Sequence, residues 1–525
     1  MLRPAILALF LGLAVSARAD QAPLDAALDA FHAAETDADV AAAIDRVLSL
    51  SPAPDALLAA LAKGPVPAAP AARGFTVRKA RYPDGEEHRY YLVVPESCDP
   101  TIPSPVLVHM HGGVSRAEAI PEEQMREYAA FWSAGAEERG ILTVFPEGRR
   151  GAEWWTANGA GGIERILLDL RHEFAVDENA VFATGFSDGA SGCFYLAMTR
   201  PTAFAGFIPL NGHPAVPARA GDRQLHLVNA ALRPFYMVNT QDDGLYPTRT
   251  VLPFVGGLIR AGAAITFTSY PGIGHEPAYM DREWDRIHDW MDATAREPLP
   301  ARLTFETADP TDGRAAWVTI LALRDTPGAA EFDDVNVEVP EDRVRIGIGV
   351  DREFPGPGVR VSEVMAGTTA EEMALRPGDV ITGLDEAEVA SMADLSRVLA
   401  ARKRGKEMEV RYLRDGKAGA ARAVIPPHRP ELAFPRTLPS GRIEVTAAGN
   451  RVDVRLRGVT RYALDLSPRM FDFGAEIVVT TNGKESFRGK VEADAGQLLR
   501  SFARDRDRSM LFPARLEITV GARGP

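Results

Sequence analysis

Short apolar runs separated by amphipathic stretches divide the chain into distinct kinds of sequence. Over residues 20–63, Leu24, Leu28 and Phe31, and then Ile44, Val47 and Leu48, recur at helical spacing, which predicts two short helices. "GPVPAAPAA" (64–72) cannot continue a helix, and residues 64–73 read as a stiff linker. From residue 74 the pattern changes to strands alternating with helices. "HRYYLVV", "VLVHMH", "ILTVFP", "AVFATGF", "FAGFIPL", "FYMVNT" and "ITFTSY" are short apolar runs, with helical stretches such as "PEEQMREYAAFWSAGAEERG" and "GIERILLDLRHEF" among them. That alternation predicts an α/β class domain over 74–298, a doubly wound, mostly parallel sheet covered on both faces, ending after a helix around "REWDRIHDWMDA".

Beyond residue 298 the helical pattern thins. "RLTFET", "AAWVTILAL" and "VNVEV" read as strands, as do "RIEVTAAGNRVDVRLRG", "EIVVTTNGKESFRGKV" and "RLEITV" much later. Asn482-Gly483 between two such runs is a hairpin signal. The two β-rich flanks, 299–342 and 430–521, surround a separate unit at 343–426. The first flank holds too few strands to be stable alone, so the flanks are expected to pair into one β-sandwich; two small independent modules are the alternative.

Composition narrows the setting. The 525 residues, 46% hydrophobic and 25% charged, are those of a multidomain globular protein. A net charge of -13 lacks the basic excess that nucleic acid or an anionic membrane surface requires. At the start, Arg3 precedes "AILALFLGLAV" and the small-x-small pair Ala17 and Ala19, the pattern of a cleaved signal peptide over 1–19. The run is short for a bilayer-spanning anchor, no later run is long enough to span, and no cysteine at the cleavage site offers a lipid attachment. A secreted or periplasmic protein is the expectation. Cys98 and Cys193 are the chain's two cysteines; in an oxidising compartment they can pair or remain as buried thiols.

The chemistry centres on "AVFATGFSDGASGCFYLAM", in which Ser187 stands in Gly185-Phe186-Ser187-Asp188-Gly189 between a strand and a helix. A nucleophilic serine needs a strained strand-to-helix turn, and the glycines let neighbouring backbone pack closely; a structural glycine-rich turn is the other reading. A base and an orienting carboxylate must follow, in the order serine, acid, histidine, on loops after later strands. "FYMVNTQDDGLYP" supplies Asp242 and Asp243, with Asp243 preferred and Asp242 as a turn cap, and "ITFTSYPGIGHEP" supplies His275. His288 falls inside a helix and is read as a packing or surface residue. For an oxyanion, "VLVHMHGGVS" offers His111-Gly112-Gly113, and Asp188 offers its backbone N–H, its carboxylate facing outward or capping the helix. Trp154, Trp155 and His213 lie on loops at the same end of the sheet and either contact substrate, with His111, or anchor packing.

These motifs, "HGG" (111–113), "GFSDG" (185–189), "DDGLYP" (242–247) and "GIGH" (272–275), make residues 74–297 resemble an α/β-hydrolase of the esterase group that contains polyhydroxybutyrate depolymerases and feruloyl esterases. That group typically carries alanine or glycine after the serine, and Asp188 departs from it. The inserted unit resembles the PDZ modules of bacterial quality-control proteases. "AGTTAEEMALRPGDVI" carries the likeness, and Arg345-Ile346-Gly347-Ile348 matches the carboxylate-binding loop. There, backbone N–H groups hold a peptide C-terminus while the peptide adds as a strand. Met392, Leu395 and Leu399 line that groove or form the helix's core face.

The resemblances imply an exported serine hydrolase of carboxylic esters, small or polymeric, with a PDZ module that recruits a protein C-terminus: a partner's, or this chain's own "LEITVGARGP". A serine peptidase of the same fold and a PDZ-bearing scaffold with a silent hydrolase domain are the competing readings. No metal-ligand pattern or phosphate loop is evident, so neither a metal nor a cofactor is expected.

Overall fold

An eight-stranded mixed sheet organises the first large segment of the computed structural model. Its strands are β1 (Gly74–Arg81), β2 (Glu87–Val94), β3 (Ser104–Met110), β4 (Leu142–Pro146), β5 (Val176–Phe186), β6 (Gly206–Leu210), β7 (Phe235–Thr240) and β8 (Ile265–Tyr270). They lie in the order β1-β2-β4-β3-β5-β6-β7-β8. β1 pairs antiparallel with β2, and β2 antiparallel with β4, while β4 through β8 are parallel. This is the α/β-hydrolase fold. The structure describes residues 22–34, 36–64, 72–324, 335–339, 344–351, 354–427 and 431–521. The expected signal peptide (1–19), most of the linker (65–71) and the last residues of the chain (522–525) lie outside the described residues.

The helices are α1 (22–33), α2 (Asp37–Ser49), α3 (Pro54–Lys63), α4 (Glu122–Trp132), α5 (Ala157–Glu173), α6 (Asp188–Thr199), α7 (Ala215–Ala220), α8 (Thr248–Arg260) and α9 (Met280–Asp292). Met125, Ala129 and Trp132 of α4 share one core with Met280, Ile287 and Met291 of α9 and with Leu107, Phe145, Phe182 and Val238 of the sheet. α6 is buried at every residue from Gly189 to Thr199, as a helix apolar all round must be. The helix expected over 121–140 stops at Trp132, because Gly135 takes φ +76, outside helical backbone.

Three N-terminal helices form where two were expected. Pro54 starts the third at the position where proline's missing N–H costs nothing, and Leu57 and Leu61 are fully buried. They pack, with Phe31 and Val47, against Leu498, Leu499 and Phe502 of a helix late in the chain. The guanidinium of Arg506 then donates to the carbonyls of His32 (2.7 Å) and Ala34 (2.6 Å), closing the C-terminal end of α1.

The β-rich flanks interleave. β9 (Arg302–Thr307), β10 (Arg314–Ala315) and β11 (Val318–Leu323) precede the inserted unit, whose strands run from β12 (Glu338–Val339) to β19 (Glu431–Leu432). After it come β20 (Gly441–Ala448), β21 (Arg451–Arg457), β22 (Val459–Leu466), β23 (Ile477–Thr481), β24 (Lys484–Gly489) and β25 (Ala514–Thr519). One sheet runs β24-β23-β21-β20-β9 and the other β10-β11-β22-β25, so each contains strands from both flanks. Their inner faces share a core that includes Phe305, Trp317, Ile320, Tyr462, Leu464, Ile477 and Phe512. Asn482 and Gly483 take φ +49 and +76 between β23 and β24, as a two-residue hairpin turn demands.

Val337–Ala433 forms a second unit with its own core. Between β12 and β19 it contains β13 (Ile348–Val350), β14 (Val359–Val364), β15 (Val380–Leu384), β16 (Ala387–Glu388), β17 (Glu407–Arg414) and β18 (Lys417–Val424), with helices α10 (Thr369–Glu372) and α11 (Met392–Ala400). The sheet order β13-β14-β15-β17-β18 leaves β13 at an edge. Asp379 of "LRPGD" is buried and joins two parts of this unit. It accepts from the Arg376 N–H at 2.8 Å and from Arg414 Nε and Nη2, each at 2.8 Å. Burial pushes its pKa up, but the Arg414 and Arg376 bonds outweigh that and hold it below the ordinary aspartate value.

Cys98 and Cys193 are both free and buried. Burial drives the Cys193 thiol well above its ordinary pKa, so it is an inert core residue.

Candidate active site

The site stands at the C-terminal ends of β3, β5, β6, β7 and β8. Ser187 joins β5 to α6 with φ 60 and ψ -117, a conformation that L-residues avoid. The surroundings impose it. A Cβ on Gly189 would lie 1.9 Å from the Met110 carbonyl oxygen, and one on Gly185 would lie 2.5 Å from the Gly189 carbonyl carbon. Only glycine fits either place, which is why the flanking residues are what they are. Gly112 is tight but less so, its absent Cβ 3.1 Å from Cβ of Ser187.

Ser187 Oγ is 2.8 Å from His275 Nε2, and His275 Nδ1 is 2.8 Å from Asp243 Oδ2. Each ring nitrogen therefore has one partner, which fixes the imidazole's orientation. Asp243 is 2% exposed and saturated with donors. Its Oδ2 also accepts from Asn211 Nδ2 (2.8 Å), and its Oδ1 accepts from the N–H groups of Leu245 (2.7 Å) and Tyr246 (2.9 Å). Burial raises its pKa, while the bonds from His275, Asn211, Tyr246 and Leu245 lower it by more, leaving the carboxyl below the ordinary value and ionised at neutral pH. Asp242 faces elsewhere: its Oδ2 accepts from the Gly272 N–H at 2.7 Å, pinning the turn that leads to His275.

Some site residues were missed by sequence reasoning. Asn211 takes φ +50 and is fully buried. Besides Asp243 it bonds Thr240 Oγ1 (2.6 Å) and accepts from Tyr279 OH (2.7 Å). The ring of Tyr246 stands edge-on to His275, centroids 5.7 Å apart. Asn in "PLNGHP" before a glycine was a usable signal for left-handed backbone; nothing in the sequence pointed to Tyr279.

The expected pocket residues separate. Trp154 is fully buried, and its Nε1 donates to the His111 carbonyl at 2.8 Å. Trp155 is 6% exposed. Both are packing anchors, so substrate contact by these tryptophans is set aside. His111 is buried too, its Nε2 accepting from the Gly148 N–H at 3.0 Å; it holds the Gly112-Gly113 loop and presents nothing to a ligand. Its pKa falls to about 4, chiefly through burial. His213 is half-buried, with Nε2 3.3 Å from the Thr250 carbonyl and its ring on Phe254 and Tyr246. His288 packs within α9, beside Trp284.

Asp188 opens α6, where N–H groups have no intrahelical acceptor. Its carboxylate neither faces outward nor caps the helix, as was expected: Oδ2 accepts from the Val114 N–H at 3.0 Å, across from the elbow to the glycine loop. Among the described residues, no group of three or more His, Cys, Asp or Glu side chains is arranged to hold a metal ion, and no helix is long and apolar enough to cross a membrane.

In the second unit, Gly347 has φ +83 and Ile346 is buried in the core. The Ile346 carbonyl accepts from Ala370 N–H (2.7 Å), and that of Gly347 from Met365 N–H (2.9 Å). Arg345 is exposed, and Ile348 begins the edge strand β13. On α11, Leu395 belongs to the core, Leu399 packs partly against it and Met392 is exposed.

The PDZ domain family model matches residues 344–423. A bifunctional acetylxylan esterase/xylanase of Neocallimastix patriciarum is 21% identical over 250 residues, 41% of this chain and 35% of that protein. A do/HhoA-like periplasmic serine protease of Haemophilus influenzae is 39% identical over 61 residues, 12% of this chain and 13% of that one. The chain thus spans about a third of the first curated relative's length and about an eighth of the second's. A solved thermostable esterase superposes with TM-score 0.36 at 21% identity, covering 42% of this chain and 63% of its own.

Proposed function

We propose that this chain is an exported serine hydrolase that cleaves carboxylic esters through an acyl-enzyme on Ser187. The observation that carries the reading is the unbroken relay from Ser187 Oγ through His275 to Asp243, 2.8 Å at each step. His275 Nε2 takes the Ser187 proton as Oγ attacks the ester carbonyl. The buried Asp243 carboxylate keeps the other proton on Nδ1 and stabilises the imidazolium that forms. The tetrahedral oxyanion is held by backbone N–H groups of Asp188 and of the Gly112-Gly113 loop. His275 then returns its proton to the leaving alcohol, and water repeats the cycle to free the acid. The relative named for acetylxylan esterase activity favours an ester, including one on a polymer, over other acyl substrates. The PDZ segment recruits. Its loop at Arg345, Ile346, Gly347 and Ile348 would hold a protein's terminal carboxylate while the peptide pairs with β13.

A second reading, a serine peptidase of this fold, draws on the PDZ match and the periplasmic protease relative. One experiment separates these: fluorophosphonate labelling of the purified protein, followed by p-nitrophenyl esters and aminoacyl anilides. Ester turnover well above anilide turnover is expected, with Ser187→Ala lowering it by about 10⁵-fold and abolishing labelling. Labelling and turnover that survive Ser187→Ala would refute the assignment. Anilide turnover in excess of ester turnover would favour the peptidase, and a folded wild-type chain that neither labels nor turns over would leave the scaffold reading.

A further inference from the structure

We infer that the Asp188 carboxylate is a positioning residue that sets the oxyanion hole by tying the glycine loop to the serine elbow. This rests on Ser187 being the nucleophile. The hole has two walls. One is the start of α6, which supplies the Asp188 N–H; the other is the His111-Gly112-Gly113 loop, which supplies a second N–H. The hole works only if both donors point at one place, with no reorganisation as charge develops.

The loop's near end is held by the body of the domain. Gly148 N–H donates to His111 Nε2 at 3.0 Å, and Trp154 Nε1 donates to the His111 carbonyl at 2.8 Å. Past that anchor come two glycines, the second at φ +69, a pair with wide conformational freedom. Arg116 donates Nε to the Gly113 carbonyl (2.7 Å) and Nη2 to the Gly112 carbonyl (3.2 Å). Being part of the same loop, Arg116 shapes it without fixing it to the elbow. Asp188 makes that link: its Oδ2 takes the N–H of Val114, a fully buried residue 74 positions away, at 3.0 Å. One residue thus offers a donor from its main chain and, through its side chain, holds the wall that carries the other donor.

A carboxylate beside a developing oxyanion raises the barrier electrostatically, a cost that a neutral residue at this position would avoid. The hydrogen bond to Val114 has to return more than that cost. It is charge-assisted, hence stronger than a neutral bond, and it spares a buried N–H from going unpaired.

The test compares Asp188→Ala with Asp188→Asn, which keeps an acceptor oxygen, on p-nitrophenyl acetate, with binding of an aryl trifluoromethyl ketone as a reporter of oxyanion stabilisation. Asp188→Ala is expected to lower kcat roughly 10²-fold and to weaken the ketone by a similar factor. KM should stay within about twofold. Asp188→Asn should recover kcat to within about fivefold of wild type. Unchanged kcat in Asp188→Ala, a loss confined to KM, or an Asn variant as impaired as the Ala variant would each overturn the inference. Should the Ala variant fold poorly by near-UV circular dichroism, the Asn variant and Asp188→Ser supply the comparison on the same readouts. Activity retained by Ser187→Ala would instead remove the nucleophile assignment on which the inference rests, so the two failures are distinguishable.

Discussion

The serine elbow and the loop that opens the PDZ segment both turn on left-handed backbone, and they use it to different ends. At the elbow the strained residue is a serine at φ 60, and the glycines lie on either side of it. In the PDZ loop the residue at φ +83 is itself a glycine, which adopts that conformation without strain. Around Ser187 the polar atoms are spent on one another: Asp243 accepts from four donors, and Asp188 reaches across to Val114. Around Gly347 the fixed polar atoms are backbone ones, the Met365 N–H on the Gly347 carbonyl and the Ala370 N–H on that of Ile346, while β13 remains at the sheet edge. On the proposed reading, chemistry at the Ser187 oxygen is served by closure of its neighbouring polar groups, and recognition of a peptide backbone by an open sheet edge.

Breaking the relay should have the largest effect of the tests that separate these regions. Asp243→Asn leaves the packing in place but presents His275 with a donor where it needs an acceptor, favouring the wrong tautomer. The expected fall in kcat for ester hydrolysis is about 10⁴-fold. A loss below tenfold would mean that Asp243 does not orient His275.

Acid should separate the regions next. Burial first, and then the charge of His111, lowers the pKa of His109 to about 3; that of His111 lies at about 4. A histidine lowered this way in the folded state takes up its proton first in the unfolded chain, whose value is near 6.5. Its stabilisation is complete above pH 6.5 and is lost as pH falls towards 4, on the order of 3 kcal/mol for His111 alone. The PDZ match at 344–423 contains no histidine; its Asp379, lowered below 3.8, loses its contribution only under more acidic conditions. Hydrogen exchange followed by mass spectrometry between pH 7 and 4, corrected for intrinsic rates, should show the segment with the eight-stranded sheet loosening first. Loosening of the PDZ segment ahead of it would contradict this order.

The smallest effect is a backbone one. Alanine at Gly347 would place a Cβ 2.3 Å from that of Thr368 at φ +83, costing the PDZ segment about 2 kcal/mol. Ester turnover by the full chain should be unchanged while proteolysis near residue 347 accelerates. Equal loss of turnover would show the two regions to be coupled.

Much of this was legible in the sequence because the decisive interactions are local. Gly185 and Gly189 flank Ser187 within five residues, and His275 and Asp243 each follow a readable apolar strand. What escaped notice depends on residues far apart in the chain. Tyr279 meets Asn211 across 68 positions and Asp188 meets Val114 across 74, and no spacing rule covers such pairs. Trp154 looked like a pocket residue because aromatic loop residues serve both packing and binding; only burial decides between them. β1 was passed over because "FTVRKAR" is an edge strand with weak alternation. The helix containing Leu498 and Phe502 was missed within text otherwise rich in strands.

The pairing of β12 with β19 bears on the order of events during synthesis. β9 and β11 emerge from the ribosome long before their partners β20 and β22, with all of Val337–Ala433 between them. A chain waiting in that state exposes unpaired strand edges, which invite aggregation. The intervening segment has its own core, and once folded it aligns Glu338 with Leu432 and Val339 with Glu431. Just outside that pair, Asn336 Nδ2 donates to the Phe434 carbonyl at 2.7 Å. The connection of more than a hundred residues between β11 and β20 is thereby shortened to about twenty, which removes on the order of 1.5 kcal/mol of closure entropy from the later joining of the flanks. Folding of the PDZ segment during synthesis would then shorten the tether between the two flanks before their strands pair.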